Sequence, residues 1–428
     1  MEELKEGWRK VKLGEICNIS SSKRIFMSEY VKNGIPFYRG KEIIEKSLGK
    51  DTSTKLYISE SKYNDIAKKY SVPLKKDILL TSVGTIGVPY LVRDEKFYFK
   101  DGNLTWLNDF KKNIDSYFIY YWLKSKKGQE QIQAITIGST QKALTIENLK
   151  KLELLLPDIK IQKKIISILS SLDEKIELNR KINQNLEETA QTLFKRWFVD
   201  FEFPNEEEKP YKSSGGKMIE SELGEIPEGW RVGKLGEIVK IKNGYSYKGK
   251  ELMQSENAML TIKNFNRDGS FKIDGYKEIS LGEKVKESHY VEIGDILVAH
   301  TDLTQGAEII GNPIMVFSKA NYKKIIMSMD LVKVEAKYKN FIYFLLKDKR
   351  FKNHALGYIN GTTVLHLNKN CISEYKFVLP IENKLIEKLE KYLQKINLQI
   401  CINQKETEKL IELRDYLLPR LMSGEISV

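Results

Sequence analysis

Apolar residues recur at alternating steps of four and three through the middle of the chain: Ile165, Leu169, Leu172, Ile176, then Leu186, Ala190, Leu193 and Trp197. Asn179 and Asn183 fill the two seam positions between. This is a heptad seam, and it predicts a long helix that buries one stripe against another helix. Neither Gly nor Pro interrupts it for about 40 residues, so at about 1.5 Å rise per residue the rod should be about 60 Å long. After Leu379-Pro380 the spacing returns at Leu385, Leu389, Tyr392, Ile396, Gln399, Asn403, Glu406, Leu410, Leu413 and Leu417. All ten stand at one constant offset from the first series, Leu385 answering Ile165 and Leu417 answering Trp197. Even the polar interruption repeats, Ile182-Asn183-Gln184 becoming Ile402-Asn403-Gln404.

The rest of the chain repeats with the helices. The opening Gly7-Trp8-Arg9-Lys10-Val11-Lys12-Leu13-Gly14-Glu15-Ile16 is answered, at almost the same offset, by Gly229-Trp230-Arg231-Val232-Gly233-Lys234-Leu235-Gly236-Glu237-Ile238. Lys76-Asp77-Ile78-Leu79 matches Gly294-Asp295-Ile296-Leu297, Phe118-Ile119-Tyr120 matches Phe341-Ile342-Tyr343, and Gly138-Ser139-Thr140 matches Gly361-Thr362-Thr363. The chain is a tandem duplication. Each copy reads as short β-branched or aromatic strands broken by Gly and Asn turns, with a modest helix at 117–127 or 341–352, followed by the long helix. The predicted class is α+β, with lobes at 1–157 and 222–380, long helices within 158–201 and 381–428, and a connecting segment at 202–221.

That segment holds Glu206-Glu207-Glu208, Lys209-Pro210 and Ser213-Ser214-Gly215-Gly216, and reads as a flexible linker. About 20 flexible residues span on average only about 25 Å, less than half the rod. The second helix must therefore run back along the first, giving an antiparallel coiled coil with the lobes at opposite ends under a pseudo-twofold axis. Asn179, Asn183, Gln399 and Asn403 should meet near its middle and fix the register.

Composition adds the compartment and the partner. Cys17, Cys371 and Cys401 form no metal or disulfide pattern, the acidic Met1-Glu2-Glu3 start is no secretory leader, and the apolar stretch at 78–92 is too short for a membrane span, so a cytoplasmic protein is expected. The net charge of +13 divides as +9 over 1–157, −1 over 158–221, +5 over 222–380 and 0 over 381–428. Basic lobes joined by neutral helices suit a grip on a polyanion.

Catalytic signatures are missing. Residues 244–250 imitate a phosphate-binding loop, but Glu251 stands where a Ser or Thr must ligate magnesium. Asp158 with Asp173-Glu174-Lys175 imitates a nuclease signature, yet these residues lie along one rod instead of converging from strands on a metal. His289, His300, His354 and His366 lack ligand spacing. What the lobes do offer is Arg, Lys, Asn and Gln in predicted loops, the types that reach phosphates and base edges: Lys23, Arg24, Arg39, Lys41, Gln141 and Lys142 in the first lobe. The second offers Lys263, Asn264, Asn266, Arg267, His300 and Thr301. The Gly138-Ser139-Thr140-Gln141 turn could equally cap the segment at 144–150.

These features together resemble the specificity subunit of type I restriction-modification systems. The residues that carry the resemblance are the two Gly-Trp openings, Lys76-Asp77-Ile78-Leu79 with Gly84-Thr85-Ile86-Gly87, Gly138-Ser139-Thr140-Gln141, Leu156-Pro157 leading to Gln162 and Ile165, and Phe194-Lys195-Arg196-Trp197-Phe198-Val199-Asp200-Phe201. The resemblance spans essentially the whole chain. It implies two target recognition domains, each reading half of a split double-stranded DNA site, with the helices as spacer and as the dock for two adenine-methyltransferase subunits. Two ATP-dependent restriction subunits would join the full complex, and S-adenosylmethionine, ATP and Mg would belong to the partners, leaving this chain with no cofactor and no catalysis of its own. The second copy departs from the pattern where Asn383 and Lys384 stand near the place of Gln162 and where Val364 replaces Gln141. Two rivals are a self-contained methyltransferase or nuclease, for which no constellation exists, and a coiled-coil scaffold with protein-binding lobes, which leaves the lobe-confined charge unexplained.

Overall fold

The computed structural model describes residues 6–49, 52, 55–136, 143–267, 269–304, 306–361 and 363–428. The chain divides into two compact units, Met1–Glu177 with Lys409–Val428, and Leu178–Glu408. Each contains one lobe and a portion of both long helices.

The repeated openings have one structural job. Trp8–Lys12 pairs antiparallel with Glu153–Pro157, Trp8 opposite Pro157, and Trp230–Lys234 pairs with Lys376–Pro380, Trp230 opposite Pro380. Each lobe thus closes its first strand on the strand that leads into its long helix. Inside each lobe a four-stranded antiparallel sheet follows the same order: Asn18–Ser20, Leu104–Asn108, Ile78–Thr81, Pro89–Leu91 in one, and Val239–Asn243, Leu331–Ala336, Ile296–Ala299, Pro313–Met315 in the other. The central strands are covered on both faces, which is why Ile78-Leu79-Leu80 and Ile296-Leu297-Val298 are unbroken apolar runs. A second sheet in each lobe contains one parallel pair: Ile35–Tyr38 with Tyr98–Phe99, and Asn257–Leu260 with Lys324–Met327.

The single helix expected at 117–127 or 341–352 is two helices in each lobe, Ser116–Lys124 and Lys126–Ala134, then Lys339–Lys347 and Lys349–Leu356. Ser125 and Asp348 adopt extended backbone at the breaks, and their side chains accept from the N–H groups of Gly128 and Arg350, capping the second helix. A Cβ at Gly128 would lie 2.1 Å from the Trp122 carbonyl oxygen, so only glycine fits this joint.

The long helices are Ile159–Phe198 and Lys384–Met422, the latter continuing through Pro419. They run antiparallel within each unit. In unit 2, Asn403 Nδ2 donates to Asn183 Oδ1 at 2.8 Å, Asn179 donates to Glu406 at 2.8 Å and Thr407 at 3.4 Å, and the Trp197 and Tyr392 rings meet edge-on. In unit 1, Arg414 donates to Asp173 at 2.9 Å. The seam of the first helix faces inward as spaced, with Ile165, Leu169, Ile176, Asn179, Ala190 and Trp197 buried and Leu172, Asn183, Leu186 and Leu193 partly so. That of the second is rotated: Leu393, Asn397, Ile400 and Thr407 are buried, while Tyr392, Gln399 and Leu413 face outward. The rotation has a cause, because this helix also packs on Lys339–Lys347. The Glu390 carboxylate accepts the N–H groups of Asn340 and Phe341, and Asn397 donates to the Asn340 side chain at 2.7 Å. Gln399 accordingly bonds along its own helix to Asn403.

Residues 202–221 are packed, contrary to the flexible reading. Phe203 stacks between Tyr211 and Trp230, Tyr211 and Gly216 close backbone turns onto Phe203 and Tyr211, and Met218–Ile219 pairs with Ile226–Pro227. Two aromatic rings supply the apolar surface that the Glu, Ser and Gly content conceals.

Candidate nucleic-acid interface

In lobe 1 the parallel strands Ile35–Tyr38 and Tyr98–Phe99 end at the same edge: Phe37 faces Tyr98, Tyr38 faces Phe99, and Lys100 N–H donates to Tyr38 O at 2.8 Å. Arg39 and Lys100 therefore leave side by side. The segment before them runs along the second strand, with the Ser22 hydroxyl donating to Phe99 O, Lys23 N–H to the Tyr98 hydroxyl, and Arg24 Nε to Asp101 at 2.8 Å. The Lys23 ammonium lies 4.6 Å from the Tyr70 ring centroid. Lys23, Arg24, Arg39 and Lys41 thus share one edge.

Arg39 is rigidly oriented there. Its Nη2 and Nε donate to the two Glu42 oxygens at 2.8 and 3.2 Å, and its backbone N–H donates to the same carboxylate at 2.8 Å, starting the helix Gly40–Ser47. Burial alone would raise the fully buried Glu42 carboxyl, but the Arg39 guanidinium and backbone donors outweigh it and hold it below its ordinary value.

Lobe 2 repeats this corner with other side chains. After the parallel pair Asn257–Leu260 and Lys324–Met327, Thr261 takes the place of Arg39 and Asn264 that of Glu42: Thr261 N–H donates to Asn264 Oδ1 at 3.0 Å. Lys263 falls where Lys41 does, and both lysines are exposed. Asn264 is fully buried and its amide also donates to Lys272 O at 2.9 Å, so both ends of its side chain serve the lobe itself. Asn266 donates to the Ser270 hydroxyl at 2.9 Å, and Arg267 Nε lies 3.1 Å from a Glu308 oxygen. Thr301 donates to Asp330 at 3.0 Å. His300 is largely buried, and no partner reaches its Nε2 among the described residues; burial, with Lys369 and His366 adding, pushes it down to about 4, so it is neutral at neutral pH. Gln141 and Lys142, with the turn before them, lie outside the described residues.

Register reveals edge residues that spacing missed, Lys100 and Asp101, because their neighbours Tyr38 and Arg24 are distant along the chain, Arg24 by 77 positions. Phe26, Met27 and Leu303 are also exposed, and an apolar residue in a polar loop was the only available signal. The chemical mimics resolve as structure. Glu251 accepts from Lys248 N–H and the Tyr245 hydroxyl, closing the turn Gly249–Glu251. Asp173 accepts from Tyr121 and Arg414. Among the described residues no three His, Cys, Asp or Glu side chains are grouped to hold a metal ion. No described helix is long and apolar enough to cross a membrane.

A family profile described as "Type I restriction modification DNA specificity domain" matches residues 5–188 and again 227–412. The chain belongs to this family. The type I restriction enzyme MjaIX specificity subunit of Methanocaldococcus jannaschii is 30% identical over 98% of this chain and 93% of its own length. The HindI specificity subunit of Haemophilus influenzae is 26% identical over 72% of this chain and 77% of its own. The fold is shared with the crystal structure of the type I S subunit from M. genitalium, at TM-score 0.52 and 19% identity over 99% of this chain and 98% of that one.

Two features of this specificity-family chain follow from its repeat. Gln162, buried at the start of the first long helix, accepts from Asp115 N–H and donates to Asn113 O and Pro157 O; in the second copy Glu390, about two turns further along its helix, caps the equivalent helix. The departure at Asn383 and Lys384 is therefore compensated. The repeat also leaves matched apolar pairs outward on the helices, Leu178 and Ile182 (50% and 36% exposed) and, at the corresponding positions of the second helix, Leu398 and Ile402 (60% and 52%).

Proposed function

We propose that this chain is the DNA-reading component of a type I complex, each lobe recognising one half of a bipartite double-stranded site. The observation that carries the reading is the repeated corner: two lobes of different sequence place Lys41 and Lys263 at the same exposed position beyond a parallel strand pair, beside Arg39 in one and Arg267 in the other. Cationic side chains at that edge suit phosphates, and the neighbouring Arg and amide groups suit base edges. The long helices set the spacing of the half-sites. Their matched apolar pairs, exposed at helical spacing, suit two copies of one partner, the adenine-methyltransferase subunits, with ATP-dependent restriction subunits joining the larger assembly. S-adenosylmethionine, ATP and Mg then act in the partners, and the purified chain neither binds S-adenosylmethionine nor hydrolyses ATP.

The test is methylome sequencing of a host expressing this chain with its methyltransferase partner. Methylation within one bipartite motif, with unlike halves at a fixed gap, is expected. Methylation at a continuous motif, or unchanged methylation when the chain is withdrawn, overturns the proposal.

A further inference from the structure

In lobe 2 the strands Ile296–Ala299 and Pro313–Met315 are joined by residues 300–312, whereas their lobe 1 counterparts Ile78–Thr81 and Pro89–Leu91 are joined by 82–88, so lobe 2 carries six more residues. The two connections close alike: Gly87 N–H donates to Thr81 O and Gly311 N–H to Ala299 O, each at 2.8 Å. The extra residues form an insertion within an otherwise shared device.

That insertion is held from beneath. Asp302, fully buried, accepts the N–H groups of Thr304 (2.8 Å), Ile309 (2.7 Å) and Ile310 (3.1 Å) and the Thr304 hydroxyl (2.8 Å). Burial alone would raise its carboxyl, and these donors hold it below the ordinary value. Lys352, on the helix Lys349–Leu356, donates to Ala307 O (3.0 Å), Ile310 O (2.6 Å) and Asn312 Oδ1 (2.8 Å). At the matching position in lobe 1, Gln129 donates to Gly87 O at 2.7 Å. One helix position anchors the connection in both lobes, with an ammonium where the loop is longer. Charges withdrawn from water are costly unless their bonds are all made, and here the bonds go to fixing the backbone at 304 and 307–310.

The outer side of the insertion presents Leu303, 68% exposed, and Glu308, which is paired with Arg267. Arg267 belongs to the basic corner of lobe 2, and a Cβ on Gly269 in the same turn would lie 3.7 Å from the Asn312 side chain. Insertion and corner are therefore neighbours.

We infer that this insertion is the sequence-reading element peculiar to lobe 2, that Arg267 and Glu308 read a G·C pair through guanine O6 and N7 and cytosine N4, and that Asp302 and Lys352 are its positioning residues. The inference rests on the lobes being DNA-reading modules. It is tested with the full chain and its methyltransferase partner by sequencing methylated genomic DNA for Arg267→Ala, Glu308→Ala, Asp302→Asn, Lys352→Gln and Lys352→Arg. The first two change exposed side chains. Each should relax the same base pair in the same half-site, the preference there falling roughly ten- to a hundredfold, with the other half-site and the gap unchanged. Asp302→Asn and Lys352→Gln should relax that same position while the methyltransferase is still captured in normal yield, and Lys352→Arg should retain it. A motif unchanged by Arg267→Ala and Glu308→Ala, or changed by them in different half-sites, overturns the inference, and these two variants decide even if the buried substitutions unfold the lobe. A wild-type complex lacking a bipartite motif would instead overturn the DNA-reading proposal itself.

Discussion

Lys41 and Lys263 occupy one position of the repeated fold, and their expected role is phosphate contact without base preference. Replacing either with Ala should weaken DNA binding similarly for all sequences and lower the slope of log affinity against log salt by roughly 1. Titrations at several salt concentrations check this; an unchanged slope for both would move the phosphate path away from the corner. His300 makes a second residue-scale prediction. Its folded value of about 4 lies below the ordinary 6.5, so between those values the unfolded chain takes up a proton that the folded lobe excludes. Stability should therefore fall as pH drops from about 6.5 to 4, and His300→Leu should flatten this part of the dependence. Thermal unfolding of both proteins at pH 7 and pH 5 measures the difference.

At the scale of elements, the long helices carry polar contacts within their seam, Asn183 with Asn403 and Asn179 with Glu406 and Thr407. Such contacts lower stability relative to apolar packing while selecting one register, because any slip buries amides without partners. If the helices are the spacer, inserting one heptad into each at matched positions preserves the register and lengthens each by about 10 Å, seven residues at about 1.5 Å. That is about three base pairs at 3.4 Å per pair. Methylation mapping should show both half-sites retained and the gap widened by about that amount; an unwidened gap would remove the helices from the spacing role.

At the scale of the whole molecule, the duplication is completed by exchange between the copies. Leu418, Leu421 and Met422, from the last turns of the second long helix, lie in the core of unit 1 beside Phe118, Trp122 and Leu169. Their counterparts in the first copy, Phe198 and Phe201 among them, lie in the core of unit 2. A fragment of residues 1–221 lacks the second helix but carries its equivalent, so it should dimerise, each copy supplying Phe198 and Phe201 where Leu418 and Leu421 would pack. Light scattering should give twice the fragment mass, and with the methyltransferase the methylated site should become a palindrome. A monomer would refute the exchange, and an asymmetric site would show that recognition does not divide by lobe.

The duplication, with its repeated Gly-Trp openings, the two long helices and the seam of the first were all legible in the chain, because periodicity and repeats are written in local order. The placement of net charge in the lobes was legible for the same reason. That each opening is a strand closing on the one before the long helix was not, because its partner lies at the other end of the lobe. Which basic residues share a corner was not: Arg39 and Lys100 become neighbours only through a parallel strand register, a long-range choice that no spacing records. Nor was the division between candidate readers and braces, since an Asn that caps a turn and an Asn that meets a base have the same chemistry. Asn264 became the former when Thr261 and Lys272 claimed both ends of its amide. The rotated seam of the second helix and the packed segment 202–221 were likewise decided by third partners, the helix Lys339–Lys347 and the ring of Trp230, whose surfaces exist only once the fold has assembled.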